Sequence, residues 1–362
     1  MSLSRLWTIT RLELTQRVRS VAWYVLLGIF ALILVGVTAL SFLTFSGYSE
    51  QRGSGIYSTV VYITLLLVLL VSPTLSGNSI NGDRDAATLA PVQVTLATTG
   101  EILFGKFLAA WITGLAFALV AVPFLLVASL AGGVTAGMIL VSAVILIVEV
   151  GIVAAIGVAL SGILARPLFS VAATYLIVAA LAVGTLIAFG LLGAAFTSEQ
   201  VNTSRYATYD DNGPECVDGV ENCWDEPENM VCGDWETYTY TVPRFDRVWW
   251  VLAANPFVVL ADATPTQFNS RGDAVDMFGY LKVGVRSAQI TPDLEIGYDE
   301  CDPSSSYYQD DYPTARETIA KTVPSWFVGL GVQIVLAGSL LWWAYARTRT
   351  PARTLPTGTR IA

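Results

Sequence analysis

The segment TTGEILFGKF places Gly100, Gly105 and Lys106 at the spacing of a phosphate-binding loop. In such loops, backbone amides and the lysine hold nucleotide phosphates, and a Ser or Thr after the lysine holds Mg²⁺. That last position is Phe107 here, and Glu101 puts a carboxylate where phosphate oxygens would lie. The residues between the glycines favour a helix instead of a cradle of amides. We therefore expect no nucleotide site, no catalytic residues and no enzyme activity in this chain.

Four cysteines are the other residues with characteristic chemistry: Cys216, Cys223, Cys232 and Cys301. An even number of cysteines in one polar segment predicts two disulfides in an oxidising compartment. Three pairings exist, and we favour Cys216–Cys223 with Cys232–Cys301. A zinc site is the alternative. The chain has no histidine, however, and the cysteine spacing is wide for four thiolate ligands. We expect no metal.

The composition is that of a membrane protein. Of 362 residues, 54% are hydrophobic and 14% are charged, and the mean hydropathy is +0.59. Soluble domains carry about 25% charged residues. Apolar runs long enough to cross ~30 Å of hydrocarbon occur six times. We predict spans at Val21–Phe45, Tyr57–Ile80, Phe107–Leu130, Ala136–Leu164, Leu168–Phe196 and Pro324–Ala346.

The orientation of the spans follows from Lys and Arg, which concentrate in short cytoplasmic loops. With both termini inside, the cytoplasmic segments carry eleven Lys or Arg, and the short outer loops carry only Arg52. We therefore predict an all-α, multi-pass protein of the cell membrane with both termini cytoplasmic. Residues 1–20 form an interfacial amphipathic helix, in which leucines and isoleucine alternate with arginines. Residues 21–196 hold five spans, with a cytoplasmic loop at 81–106.

The remaining predicted units are an external domain at 197–322, the sixth span at 323–346 and a basic cytoplasmic tail at 347–362. The external domain carries 23 of the 29 acidic residues and 8 of the 20 basic ones. Such an acidic, lysine-poor domain is typical of a halophile, for example a halophilic archaeon. The alternative is an ordinary acidic domain from a GC-rich genome.

Two segments of the external domain have local signatures. Residues 237–242, TYTYTV, alternate like a strand. Val248–Ala263 is apolar but too short to span, and Asn255-Pro256 interrupts it. We predict two short helices there that lie at the outer membrane surface, with burial in the domain's own core as the alternative.

The loop between the second and third spans has about 25 residues, which is more than a simple connection requires. Asp83, Arg84 and Asp85 end the second span. Thr98 or Thr99 can cap a second short helix that carries Glu101 in its first turn, where the helix dipole favours a carboxylate. We expect two short helices that present a surface to a cytoplasmic partner.

These residues resemble the permease subunits of ABC-2 type transporters. In that family the loop carries an acidic–Arg–acidic cluster, then Gly-Thr-Leu, a proline, and Glu-Ile-Leu…Gly-Lys entering the third span. The matching residues here are Asp83, Arg84, Asp85, Thr88, Leu89, Pro91, Glu101, Ile102, Leu103, Gly105 and Lys106. The family's opening pattern matches Glu13, Leu14, Arg17 and Arg19. Ala87 departs from it, because the family usually has Gly at that position.

The resemblance implies a transport subunit, an exporter of an unidentified substrate. It implies pairing with a second permease copy or a paralogue, and with two copies of a separate cytoplasmic ATPase subunit that binds ATP and Mg²⁺. This chain would hold no cofactor and bind no nucleic acid. The ATPase would contact Asp83, Arg84, Asp85, Thr88, Leu89, Glu101, Gly105 and Lys106.

Glu149 is the one acidic residue placed well inside a predicted span. A charge at that depth costs roughly 2.5–3.5 kcal/mol on insertion scales. We interpret Glu149 as part of the translocation path or as a group that handles a proton. The alternative is a carboxyl that is protonated or hydrogen-bonded to a neighbouring helix.

Two other functions stay open. A sensor or scaffold would display the external domain without depending on an ATPase. An integral membrane enzyme would need several polar residues converging at one depth, and the sequence offers one carboxylate there.

Overall fold

The computed structural model describes residues 2–47, 52–86, 97–209, 230–302 and 313–348. This part of the chain is mostly helical and contains six helices long and apolar enough to cross a membrane, as predicted. They are Val21–Gly47, Arg52–Asp85, Thr99–Leu130, Ala136–Ile163, Pro167–Ala195 and Trp326–Thr348, named the first to sixth spans in chain order. The chain is therefore a multi-pass membrane protein.

The helices in chain order are α1 Leu3–Val18, α2 Val21–Thr44, α3 Arg52–Ser76, α4 Asn81–Asp85, α5 Thr99–Val120, α6 Val122–Leu130, α7 Ala136–Ile163, α8 Pro167–Ala179, α9 Thr185–Ala195, α10 Trp250–Ala253, α11 Pro256–Ala263, α12 Met277–Ser287, α13 Ala315–Lys321 and α14 Trp326–Thr348. A π-helical turn, Ala180–Gly184, joins α8 to α9 inside the fifth span. We call the end of the bundle that carries α1, α4 and the start of α5 the basal end.

The third span starts earlier than the sequence predicted. We expected Phe107 to begin it and residues 99–106 to form a separate short helix in the loop. Instead, α5 runs without a break from Thr99, and Thr98 forms the expected capping box with Glu101. The reason is that no proline follows the cap and both Gly100 and Gly105 stay helical, so the helix continues directly into the apolar run.

The second and fourth spans form the centre of the bundle. In the most apolar stretch of each of these two spans, 61% of the residues are buried. In the other four spans the buried share is only 11–28%. Glycines on α7 allow this packing, because a Cβ at Gly157 would overlap Ser76 of α3. A Cβ at Gly162 would lie 3.1 Å from the Ala344 Cβ of α14. Small residues thus bring three helix backbones together, as is common in membranes.

The segment between the fifth and sixth spans contains strands, so the all-α expectation is wrong for this region. Strand β1 (Thr197–Arg205) pairs antiparallel with β4 (Glu236–Pro243) and parallel with β5 (Glu295–Asp299). The predicted strand at 237–242 is confirmed as part of β4. Two shorter strands, β2 (Ala207–Tyr209) and β3 (Met230–Cys232), form a second antiparallel pair. The polar, β-branched and tyrosine-rich stretches favour extended chain over helix.

Two short helices, α10 and α11, occupy the apolar stretch as predicted, and Asn255 caps α11 by accepting from the Phe257 amide at 2.9 Å. Helix α11 does not lie flat at a surface. Val259 and Leu260 are fully buried, and α11 packs against α7, α12 and α14. The apolar side chains find closer packing between spans than a membrane surface would give them.

Asp262, at the end of α11, organises the start of the sixth span. Its side chain is fully buried. It accepts from Arg286 Nε of α12 at 2.7 Å, and from the backbone amides of Ser325 at 2.6 Å and Trp326 at 3.0 Å. A buried carboxylate with this many donors is satisfied. It fixes α11, α12 and α14 to one another.

Gly157→Ala tests the close contact between the two central spans. Alanine is a better helix former than glycine by about 1 kcal/mol, so the change would stabilise an unhindered helix. At Gly157 we expect a lower thermal midpoint, because the added Cβ forces α7 away from Ser76. Gly190→Ala on α9 is the matched control, since nothing lies within 4 Å of its added Cβ. Equal responses of the two variants would contradict the close contact.

Lys282 on α12 gives a pH-dependent prediction. Its Nζ donates to the Thr264 carbonyl at 2.6 Å, and burial lowers the pKa of Lys282 to about 8. Asp262 and Asp276 oppose this shift and Arg286 adds to it. The ordinary pKa is about 10.4. Between these values the unfolded chain binds more protons, so the contribution of Lys282 to stability rises with pH.

We therefore expect the thermal midpoint of the wild-type chain to rise relative to Lys282→Met as the pH increases from about 8 to about 10. Lys321→Met, which removes an exposed lysine of α13, serves as the control and should show no such trend. A midpoint difference between wild type and Lys282→Met that is constant with pH would contradict the assignment.

Candidate functional site

Lys106 lies at the centre of an ionic cluster at the basal end. Its ammonium group is 2.6 Å from Asp83 Oδ2 of α4 and also donates to Glu13 of α1. The Lys106 side chain is 4% exposed, Glu13 14% and Asp83 37%. One cation therefore joins three chain segments that are distant in sequence. The low solvent exposure strengthens these attractions over those of a surface pair.

Glu101 connects the start of α5 to the start of α1. Its carboxylate accepts from the Thr98 backbone amide at 2.9 Å and from the Ser2 backbone amide at 2.5 Å. Arg5 of α1 lies 3.5 Å away, and the Glu101 side chain is fully buried. The carboxylate thus caps α5, as the sequence predicted, and also holds the N-terminus of α1. The sequence signature of a cap did not reveal this second role.

Helix α1 is docked along the first turns of α5. Thr10 is buried and donates to the Gly105 carbonyl at 3.1 Å. A Cβ at Gly105 would lie 3.0 Å from Ile9 Cγ2, so glycine permits this approach. Arg17 donates to the Leu75 carbonyl at the end of α3 at 2.8 Å.

The flank of α1 that faces away from α5 carries exposed apolar and charged residues together, among them Leu3, Trp7 and Arg11. The position of α1 at a membrane interface stays a prediction.

Asn81 and Ser161 anchor the cluster to the bundle. The Ile80 and Asn81 amides donate to Ser161 Oγ of α7 at 2.8 and 3.1 Å. Ser161 Oγ in turn donates to Asn81 Oδ1 at 3.0 Å. Sequence reasoning missed this pair. A serine in the last turn of an apolar span and an asparagine just before an acidic cluster were the available signals.

The structure brings together some of the predicted loop residues and not others. Asp83, Glu101, Gly105 and Lys106 converge beneath α1. Arg84 is half-buried and Asp85 is exposed on α4, where a second protein can reach them. Thr88 and Leu89 lie outside the described residues.

The Gly100–Lys106 segment has helical geometry, in which backbone amides bond within the helix and do not converge on a phosphate. The Lys106 side chain points to two carboxylates. The spacing that resembles a phosphate-binding loop therefore builds a helix start and an ionic cluster.

The predicted disulfide between Cys232 and Cys301 is confirmed, with Cα atoms 5.9 Å apart. These two residues are bonded to each other, so they are not zinc ligands. This disulfide joins the β2–β3 pair to the chain just after β5. Cys216 and Cys223 lie outside the described residues.

Glu149 is buried on α7, with 1% exposure. Its carboxyl lies against the Gln333 side chain of α14. It is far along the chain and at a different level of the fourth span from the basal cluster, so the two form separate sites.

Comparison with models of known protein families gave no match, and comparison with curated proteins gave none. The functional inference therefore depends on the residues and their arrangement.

Lys106→Gln tests whether one cation holds the basal end together. Without it, Asp83 and Glu13 lose the ammonium group that joins them, so we expect α1 to undock. Amide hydrogen exchange in residues 3–18 should become about tenfold faster or more, in line with the loss of a charged hydrogen bond.

Arg11→Gln removes the same charge from an exposed position on α1 and is the matched control. Adding Glu13→Gln to Lys106→Gln should restore part of the protection, because the repulsion between the two carboxylates that shared Lys106 is gone. Unchanged exchange in Lys106→Gln would show that apolar contacts alone dock α1.

Proposed function

We propose that this chain is the membrane-spanning permease subunit of an ABC-2 type transporter. In this proposal it exports an unidentified substrate, and a separate cytoplasmic ATPase, present in two copies, supplies the energy. A second copy of the chain or a paralogue completes the pathway. The observation that carries the proposal is the basal unit, defined as α1, α4 and the first two turns of α5 joined by Lys106 and Glu101.

The basal unit has the mechanical properties that an energy-transmitting surface needs. A partner's ATP cycle shifts a membrane protein between conformations only as far as the partner binds one conformation better than another. A flexible loop at the contact would not transmit the partner's conformational change to the spans. Here the unit is cross-linked internally by Lys106 and is anchored by Asn81 to Ser161 on α7.

The anchor leads directly to the bundle's centre. Ser161 lies on the fourth span and Asn81 closes the second, and these are the two most buried spans. A displacement of α4 is therefore transmitted to both the second and the fourth span. Adjacent rigid elements joined by hydrogen bonds are the physical means by which coupling travels.

The sensor or scaffold alternative fits less well. A domain that is merely displayed needs only a loose attachment. The segment between the fifth and sixth spans is instead joined to the bundle through Asp262, Arg286 and the packed helix α11. Movements of the spans would therefore be transmitted to it.

The test is capture of the partner from native membranes in mild detergent. The tagged chain should co-purify an ATPase that has a complete phosphate-binding loop and an ABC signature. Reversing the accessible charges of α4, with Arg84→Glu and Asp85→Lys together, should lower the yield of that ATPase about tenfold or more. Membrane insertion should be unchanged, because neither residue lies in an apolar run.

Arg166→Ala is the control, since Arg166 is exposed on another basal connection. It should leave the captured ATPase close to the wild-type amount. If the wild-type chain captures no ATPase, or if the charge reversal captures as much as the wild type, the proposal is wrong.

A further inference from the structure

A line of buried polar groups crosses the bundle at the level of Glu149. Glu149 of the fourth span lies against Gln333 of the sixth, and Gln333 Nε2 donates to the Ala254 carbonyl between α10 and α11 at 3.0 Å. The next residue, Asn255, donates to the Ala182 carbonyl of the π-helical turn at 2.7 Å and to Thr185 at 2.9 Å. Three spans and the short helix pair thus meet along one line.

Two oxygens in this line have no hydrogen-bond donor among the described residues. They are Glu149 Oε1 and Gln333 Oε1. Glu149 is 1% exposed and Gln333 is not exposed. The surroundings are apolar, because Ile152, Ala337 and Leu330 pack between the same two spans. Buried acceptors without donors are costly and uncommon.

No basic side chain is available at this level to pair with an ionised Glu149. Among the described residues of the elements packed against α7, the charged groups lie near helix ends. They are Arg52, Asp83, Arg84, Asp85, Glu101, Lys106, Asp262 and Arg347. An ionised carboxylate in this place would be a buried charge without a partner.

We propose that Glu149 is a proton-binding site, and that its proton controls how firmly α10 and α11 are held between the spans. The protonated carboxyl of Glu149 can donate a hydrogen bond, and the Gln333 Oε1 atom otherwise has no donor in the described part of the chain. The Gln333 amide then remains on the Ala254 carbonyl and holds the helix pair in place.

Loss of the proton changes the Glu149 carboxyl from a hydrogen-bond donor into an acceptor only. The electron pair of the O–H bond stays on the carboxylate, and the proton leaves to water. The carboxylate is then the stronger acceptor for the Gln333 amide, since hydrogen bonds to ionised groups are roughly twice as strong as neutral ones. The carboxylate then draws the Gln333 amide more strongly than the Ala254 carbonyl does, so the bond to Ala254 weakens and the tip of the helix pair is held less firmly.

The neighbouring geometry suits such a loosening. Backbone contact holds the tip closely, because a Cβ at Gly329 of the sixth span would overlap the Ala253 carbonyl. Opposite it lies a π-helical turn, whose Ala182 carbonyl accepts from the Asn255 side chain. Such turns occur frequently at functional sites in helices. This inference stands apart from the ATPase proposal, since its test requires no partner protein.

The experiment uses the full chain in lipid nanodiscs and two readouts. Infrared spectroscopy should show a buried carboxylic-acid carbonyl band at neutral pH that disappears in Glu149→Gln. Hydrogen exchange over residues 250–256, corrected for the intrinsic effect of pH, should become about tenfold faster in the wild type as that band titrates away.

Three variants make the test decisive. Glu149→Gln imitates the protonated carboxyl and should keep slow exchange at every pH. Gln333→Leu should exchange fast at every pH, because it cannot hold Ala254. Ser339→Ala, an exposed position of the sixth span that bonds within its own helix, should behave as the wild type in both readouts.

The proposal is overturned if the band survives in Glu149→Gln, or if that variant keeps the pH dependence of the wild type. An effect of Na⁺ on exchange at fixed pH would also overturn it, since the site would then bind a metal cation. Should Glu149→Gln not fold, the wild-type titration and Gln333→Leu still decide: no change in exchange as the band titrates contradicts the proposal.

Discussion

The Lys106 ammonium group is the interaction on which the basal end depends. It is nearly buried and serves carboxylates from α1 and α4 while it belongs to α5. Taking a cation out of water is unfavourable unless acceptors replace the water. The need to satisfy this one group explains why α1 is docked against the third span, and why the second span ends in the short helix α4.

At the end of the bundle opposite the basal end, a buried anion imposes the same need for hydrogen-bond partners. Asp262 is fully buried and collects Arg286 and the first amides of the sixth span. Between the two ends, apolar packing and small residues hold the second, fourth and sixth spans together. The molecule therefore has two polar junctions, and the central spans connect them. In the proposed function, this arrangement carries movement from one face of the membrane to the other.

Local patterns in the sequence predicted the parts that local physics determines. Apolar runs identified six spans, Thr98 and Glu101 indicated a helix start, and Asn255-Pro256 marked a break between short helices. Pairings between distant residues could not be predicted in this way. Nothing near Asn81 indicates Ser161, and nothing near Asp262 indicates Arg286 or Ser325. The error over α11 has the same origin, because its burial depends on spans that are remote in sequence.

The central claim is that the basal unit contacts an ATPase, and photo-crosslinking in native membranes tests it most directly. A photoreactive amino acid at Asp85, on the exposed side of α4, should form a crosslink to an ATPase with an ABC signature. The same amino acid at Tyr280, exposed on α12 beyond the opposite end, should not. Crosslinks to that ATPase from Tyr280 but not from Asp85, or none from either, would contradict the account.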